Sequence, residues 1–149
     1  MDALRRAHFP PERNHLSAHV TLFHALPPSA EAELREVLAR LAAGPAPPGR
    51  IEGVMSLGRG TAVKLASPAL LALRAELAER FSGLLTAQDQ ATPRLHVTVQ
   101  NKVSPAEAKA LQAVLAPQLH LREFRFAGLG LHAYCGGPWR LLKRCAFRG

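Results

Sequence analysis

His19-Val20-Thr21-Leu22-Phe23 and His96-Val97-Thr98-Val99-Gln100 are two segments of this chain that begin with the same tripeptide. They align without a gap when the sequence is shifted by 77 residues, and the shift also pairs residues far beyond the tripeptide. The further matches are Pro28 with Pro105, Leu34 with Leu111, Val37 with Val114, Leu38 with Leu115 and Ala39 with Ala116. A match of this length indicates an internal duplication. Two histidines on matched elements predict a two-histidine active site.

Each copy of the tripeptide is predicted to lie on a β-strand with one polar and one apolar face. Because successive side chains of a strand point to opposite faces, His19 shares a face with Thr21, and His96 shares a face with Thr98. The alternate residues are apolar and would pack against helices: Val20, Leu22, Val97 and Val99.

A helix is predicted after each histidine strand, and a hairpin after each helix. Pro27-Pro28-Ser29 is expected to cap the first helix, and Ser104 the second, with Glu107 completing a capping box. The hairpins are expected within residues 51–65 and 124–147, the second turning at Gly136-Gly137-Pro138.

The duplication therefore predicts an α+β fold in a single bilobal domain over residues 1–149, with repeat units near residues 17–65 and 94–147. Each histidine strand is expected to lie in its own lobe, near a pseudo-two-fold axis. Two antiparallel-rich sheets would line a central groove, with the helices on the outside.

Composition limits the classes of protein to which the chain can belong. A length of 149 residues and 48% hydrophobic residues suit a packed globular domain. No apolar run is long enough to span a bilayer, and residues 1–12 lack the apolar core of a signal peptide, so we expect a cytoplasmic protein. Cys135 and Cys145 are expected to be free thiols. The net charge of +8, mostly from arginine, suggests a polyanionic partner, although arginine usage also follows genome composition. No protein partner is evident, and we expect a monomer.

The paired motifs resemble the His-x-Thr-x motifs of the 2H phosphoesterase superfamily, in the branch named for 2′-5′ RNA ligase and RNA 2′,3′-cyclic phosphodiesterase. The Gly-Gly-Pro-Trp stretch at Gly136 to Trp139 is similar to the end of several bacterial members. The resemblance covers essentially the whole chain. It implies a bilobal, pseudo-symmetric α+β fold and metal-independent chemistry on phosphodiesters, commonly the opening of a 2′,3′-cyclic phosphate to a 2′-phosphate.

Such chemistry explains why the motif occurs twice. In-line displacement at phosphorus needs a base and an acid on opposite sides, and histidine holds either protonation state near neutral pH. His19 and His96 are the candidate catalytic residues, together with Thr21 and Thr98, whose hydroxyls can donate to phosphate oxygens. The residues leave open which histidine is the base, and the resemblance favours His96.

Further candidates for substrate contact are less specific. Arg94 and Gln100 share the face of His96 and could contact phosphate or a base, or be solvated strand residues. Phe23 and Tyr134 could stack on a base, or belong to the core. His15 and His19 are four residues apart, but the extended pattern around them is not a helix, so no metal site and no cofactor are predicted.

Three functions remain open. The first is hydrolysis of 2′,3′-cyclic phosphate ends of RNA or nucleotides, with 2′-5′ ligation as its reverse. The second is cleavage of another small cyclic phosphodiester, since the motif defines the phosphate chemistry and not what is attached to it. The third is a non-catalytic RNA-binding module, which would need positive charge more than a matched acid and base.

Overall fold

The computed structural model describes residues 1–11, 16–136 and 139–149 of the chain. The helices are α1 (Asp2–His8), α2 (Glu31–Ala42), α3 (Pro68–Arg80), α4 (Ala87–Gln90) and α5 (Pro105–Gln118). The strands are β1 (Pro48–Ser56), β2 (Thr61–Ala66), β3 (His96–Gln100), β4 (Glu123–Arg125), β5 (Gly128–Tyr134) and β6 (Trp139–Ala146). Short 3-10 turns lie at Pro28–Ala30 and Ser82–Leu84. The predicted α+β class is confirmed.

The strands form two sheets. One has the strand order β3-β2-β1-β4, and its β1–β2 and β2–β3 pairs are antiparallel. The other is the antiparallel hairpin β5–β6. Gly58, between β1 and β2, has a φ of 81°, in the left-handed region that glycine adopts without steric cost. Both predicted hairpins are present, and of the predicted second turn Gly137 and Pro138 lie outside the described residues.

The chain divides into two compact units. Unit 1 comprises Met1–Thr21, Arg50–Ala66 and Arg94–Glu123. Unit 2 comprises Leu22–Gly49, Ser67–Pro93 and Phe124–Gly149. The β1–β2 hairpin of the first sequence repeat thus folds with β3 and α5 of the second repeat, and the β5–β6 hairpin of the second repeat folds with α2 of the first. The repeats exchange their hairpins, so neither compact unit corresponds to one repeat of the sequence.

Unit 1 is built around β2 and β3, with α5 packed on β2. Val63 and Val99 are completely buried at 0% exposure. Ser104 caps α5 as predicted, because its Oγ accepts from the backbone N–H of Glu107 at 3.1 Å. The apolar face of α5 is formed by Ala108, Leu111 and Leu115, whereas Val114, which the repeat aligns with buried Val37, is exposed.

Unit 2 has its core between α2, α3 and the β5–β6 hairpin. The buried residues of this cluster are Ala30, Leu34, Val37, Leu38, Ala42, Leu77, Phe81, Leu129 and Cys145. Cys145 is therefore a free, buried thiol, while Cys135 is free and exposed. The expectation of free thiols is confirmed.

The structure corrects two local predictions and adds one helix. Residues 16–27 form no β-strand, so the first histidine does not lie on one. Ser29 does not cap α2, because it lies in the 3-10 turn that precedes the helix, and Ala30 occupies the N-cap position without a side-chain hydrogen bond. Helix α1 was not predicted, although its acidic first turn (Asp2) and basic last turn (Arg5, Arg6 and His8) suit the helix dipole.

Candidate functional site

The second motif lies on β3 with the alternation that the sequence predicts. Val97 and Val99 are buried, whereas His96 and Thr98 on the other face are half-buried. In the ladder with β2, His96 is opposite Lys64 and Thr98 is opposite Ala62. Directly opposite residues of an antiparallel pair share a face. Exposed Lys64 is therefore a cation beside His96.

The first motif has a similar alternation of exposed and less exposed side chains, although it is not part of a strand ladder. His19 and Thr21 are exposed, and Val20 between them is half-buried. The backbone N–H of Ala18, just before the motif, donates to the carboxylate of Asp2 in α1. A side-chain contact from α1 thus holds this segment where backbone pairing was expected.

Both histidines make the same contact with the backbone two residues before them. His19 Nδ1 lies 2.8 Å from the carbonyl oxygen of Ser17, and His96 Nδ1 lies 2.6 Å from that of Arg94. A carbonyl oxygen only accepts, so each ring carries its hydrogen on Nδ1. In both rings Nε2 is therefore the nitrogen left for proton transfer.

The electrostatics of His19 favour its neutral form. Loss of hydration is the main reason that its pKa lies below 6.5, even though the residue stays accessible. The hydrogen bond to Ser17 acts in the opposite direction, and the charges of Arg5 and His96 lower the pKa further. Because the two imidazoles repel each other when both are charged, protonation of one disfavours protonation of the other.

The two motifs lie in the same compact unit. His19 and Thr21 belong to the Met1–Thr21 segment of unit 1, and His96 and Thr98 to its Arg94–Glu123 segment. The expectation that each histidine lies in its own lobe is therefore wrong. The physical reason is that α1 packs on β3 and also binds the first motif segment through Asp2.

The remaining predicted contact residues have different surroundings. Arg94 is exposed in unit 1, next to the histidine strand. Gln100 is buried, and its Oε1 accepts from Thr61 Oγ1 at 3.0 Å, a satisfied polar pair within the sheet.

The two aromatic candidates belong to unit 2. The Phe23 ring packs against that unit's core with the Arg74 guanidinium 4.3 Å from its centroid. Tyr134 is 63% exposed and its ring lies 5.0 Å from that of Trp139.

The predictions from the sequence did not include Asp2, Arg5 or Lys64, which lie near the motifs. Arg5 donates from Nη1 to the carbonyl oxygen of Thr98 at 2.7 Å. Lys64 is identified by its register with His96. Lys64 is the one charged residue of β2, which suggests that its side chain is exposed. Nothing local in the sequence connects Arg5 with Thr98, which is 93 positions away.

Neither a metal cluster nor a membrane span is found in the described parts of the chain. Across residues 1–11, 16–136 and 139–149, no three histidine, cysteine or acidic side chains are grouped to hold a metal ion. The same ranges contain no helix long and apolar enough to cross a membrane. His15, discounted above as a metal ligand, lies outside them.

Comparison with known proteins adds a family and a fold. The family model described as the 2′-5′ RNA ligase superfamily matches residues 1–138. Among solved structures, the chain is similar to the crystal structure of TT0787 of Thermus thermophilus, with 20% sequence identity and a TM-score of 0.55. The match covers 99% of this chain and 91% of that chain, and at this identity it shows the fold alone. No curated protein matched the sequence.

Proposed function

The chain belongs to the 2′-5′ RNA ligase superfamily, a group of 2H phosphoesterases, and on this premise we propose that it is a two-histidine phosphodiesterase. Its substrate would be the 2′,3′-cyclic phosphate end of RNA or of a nucleotide, which it would open to a 2′-phosphate without a metal ion. Ligation to a 2′-5′ linkage would be the reverse of this reaction.

The observation that carries the proposal is the matched orientation of the two imidazoles. Each Nδ1–H is bound to a backbone carbonyl, at 2.8 Å for His19 and 2.6 Å for His96, so each Nε2 is available to the substrate. A neutral ring accepts a proton at that atom and a protonated ring donates one from it. A binding module would have no need to fix the same tautomer twice.

The proposed reaction is an in-line displacement. The neutral histidine takes a proton from water through Nε2 as the oxygen attacks phosphorus. The protonated histidine donates its Nε2 proton to the departing 3′-oxygen as the bond between phosphorus and that oxygen breaks. The products are a 2′-phosphate and a 3′-hydroxyl. The mutual repulsion of the two charged rings suits a resting enzyme with one neutral and one protonated histidine.

We assign the base to His19. Its lowered pKa means that the ring is mostly neutral at pH 7, which is the form that a base needs. His96 would then be the acid. This assignment is the reverse of the one that the family resemblance favours.

Threonines and cations complete the proposed site. Thr21 and Thr98 each follow a histidine by two residues and are at least partly accessible, so their hydroxyls can donate to non-bridging phosphate oxygens. Lys64 and Arg94 supply positive charge in the same unit. Contacts of the substrate with Gln100, Phe23 and Tyr134 stay predictions, as do a monomeric state and a cytoplasmic location.

The test is turnover of a short RNA that ends in a 2′,3′-cyclic phosphate, in the presence of EDTA, with identification of the product. The wild type, His19→Ala and His96→Ala are compared, and His120→Ala, an exposed histidine outside both motifs, is the matched control. Formation of a 2′-phosphate by the wild type and the control, and its loss in both motif variants, is the expected result.

Other outcomes identify the alternatives. Turnover of a small cyclic nucleotide, with the RNA left intact, would point to another phosphodiester as substrate. Salt-sensitive binding of the RNA without any turnover would favour the non-catalytic module.

A further inference from the structure

Helix α1 contacts both histidine segments. Asp2 accepts a hydrogen bond from the backbone N–H of Ala18, one residue before His19. Arg5, three residues further along the helix, donates to the backbone carbonyl of Thr98 on β3 at 2.7 Å. Residues three apart lie on the same side of a helix, so one face of α1 reaches both segments.

From these contacts we propose that α1 is a brace that sets the spacing of the two histidines, with Arg5 as its positioning residue. The proposal goes beyond the two-histidine reaction but rests on it for its consequence in catalysis. Arg5 contacts a backbone atom of the second motif and not the reacting groups. Its effect on the reaction would therefore be indirect, through the positions of Thr98 and His19.

The placement of Arg5 is unusual for a surface helix. The residue is only 4% exposed, and its guanidinium lies 4.2 Å from the centre of the Phe9 ring. An arginine side chain is rarely buried unless it is paired with another group. The next residue, Arg6, belongs to the same helix and is exposed. The chain therefore separates one arginine that faces the motifs from one that faces solvent.

Arg5 also acts on the proton equilibrium of the site. Its positive charge lowers the pKa of His19, together with burial and the charge of His96. The charges that lower the pKa of His19 are thus Arg5 from α1 and His96 from β3, and the carboxylate of Asp2 in α1 contacts the backbone one residue before His19. The single side chain of Arg5 would thus fix the distance between the two histidine segments and also favour the neutral form of the His19 ring.

The experiment compares Arg5→Met with Arg6→Met. Methionine keeps most of the apolar length and removes the charge and the donor. In Arg5→Met we expect the pKa of His19 to rise, and kcat/KM for the cyclic phosphate to fall more than about tenfold because the two imidazoles lose their spacing. Arg6→Met should match the wild type in both. The His19 pKa is measured by NMR titration of the imidazoles, with His19→Gln and His96→Gln used to assign the signals.

Arg5→Lys separates the two effects, because lysine keeps the charge and loses the planar fork. We expect an unchanged His19 titration and a smaller fall in kcat/KM, about fivefold. If Arg5→Met does not fold, Arg5→Lys is the variant that tests the proposal. A wild-type kcat/KM in Arg5→Lys would then overturn the proposal that α1 sets the spacing of the histidines. A folded Arg5→Met with wild-type titration and kcat/KM within about twofold also overturns it.

The two proposals fail in different ways. If the wild type turns over no cyclic phosphate, the proposed function fails. The pKa of His19 can still be compared between the wild type and Arg5→Met. An unchanged pKa in folded Arg5→Met would then overturn the proposal for α1 as well.

Discussion

The two histidine segments carry the same tripeptide and the same ring orientation, but their backbones are supported differently. His96 lies on β3, which pairs with β2 across an antiparallel ladder. The segment around His19 belongs to no strand, and carboxylates hold it at both ends: Asp2 binds Ala18 before the motif, and Asp89 binds His24 and Ala25 after it. A duplicated sequence can therefore reproduce a side-chain geometry without reproducing the secondary structure that carried it.

The largest effects are expected from the histidines themselves, and they test whether the two segments are equal in function. His19→Ala and His96→Ala should each lower kcat/KM by about 10²- to 10⁴-fold, because each removes a general acid or base. The assay is metal-free turnover of the cyclic phosphate. A large loss in only one variant would contradict the symmetry of the site.

The threonines are expected to show the next largest effect. Thr21→Val and Thr98→Val remove one hydroxyl each with little change of volume. A hydrogen bond to a charged group is worth roughly 1.5–3 kcal/mol, so kcat/KM should fall about tenfold to a hundredfold. Thr92→Val, an exposed loop residue of unit 2, is the control. Equal losses would indicate that both segments hold phosphate, whereas wild-type rates would limit these threonines to a structural role.

The difference in backbone support can be tested at Asp89, which holds the chain after the first motif. This carboxylate is 1% exposed and accepts from the backbone N–H groups of His24 and Ala25 and from the His24 ring. Asp89→Asn replaces an acceptor by an amide that offers one oxygen. We expect a loss of about 2 kcal/mol in the free energy of unfolding, measured with urea.

The same variant should act locally. Backbone amides after the first motif should exchange faster with solvent, while β3 keeps its protection because its ladder with β2 is untouched. Gln90→Ala, an exposed position in the same short helix, should leave both unchanged. Uniform loss of protection across the chain would show that the two segments do not differ in this way.

Much of the fold could be predicted because its information is local. Ser104 and Glu107 are three residues apart and form a local signal for the start of a helix. The alternation of Val97 and Val99 likewise indicates a strand with one buried face. The class of fold and both hairpins were predicted for this reason.

The features that could not be predicted depend on contacts distant in the sequence. The first motif has the pattern of a strand, yet α1 takes the place of a pairing strand through the Asp2 contact. Arg5 and Thr98 are 93 residues apart, and no periodicity connects them. The repeat itself led to the wrong expectation of one histidine in each lobe, because the pattern of a duplication does not show that α1 packs on β3 and also binds the segment before His19.

The smallest expected effect concerns the pH dependence of the first segment. The pKa of His19 is lowered in the folded state, mainly by loss of hydration, so the folded protein binds a proton there less readily than the unfolded chain. His19 therefore destabilises the fold as the pH falls from about 6.5 through its lowered pKa, and has no such effect above that range. In His19→Gln the decrease in the free energy of unfolding between pH 7.5 and pH 5.5 should be smaller than in the wild type, as measured by urea unfolding at the two values. The acid limb of kcat/KM should likewise lie below pH 6.5 if His19 is the base, because that limb reports the base of the free enzyme. An acid limb above pH 6.5 would contradict the assignment of the base to His19.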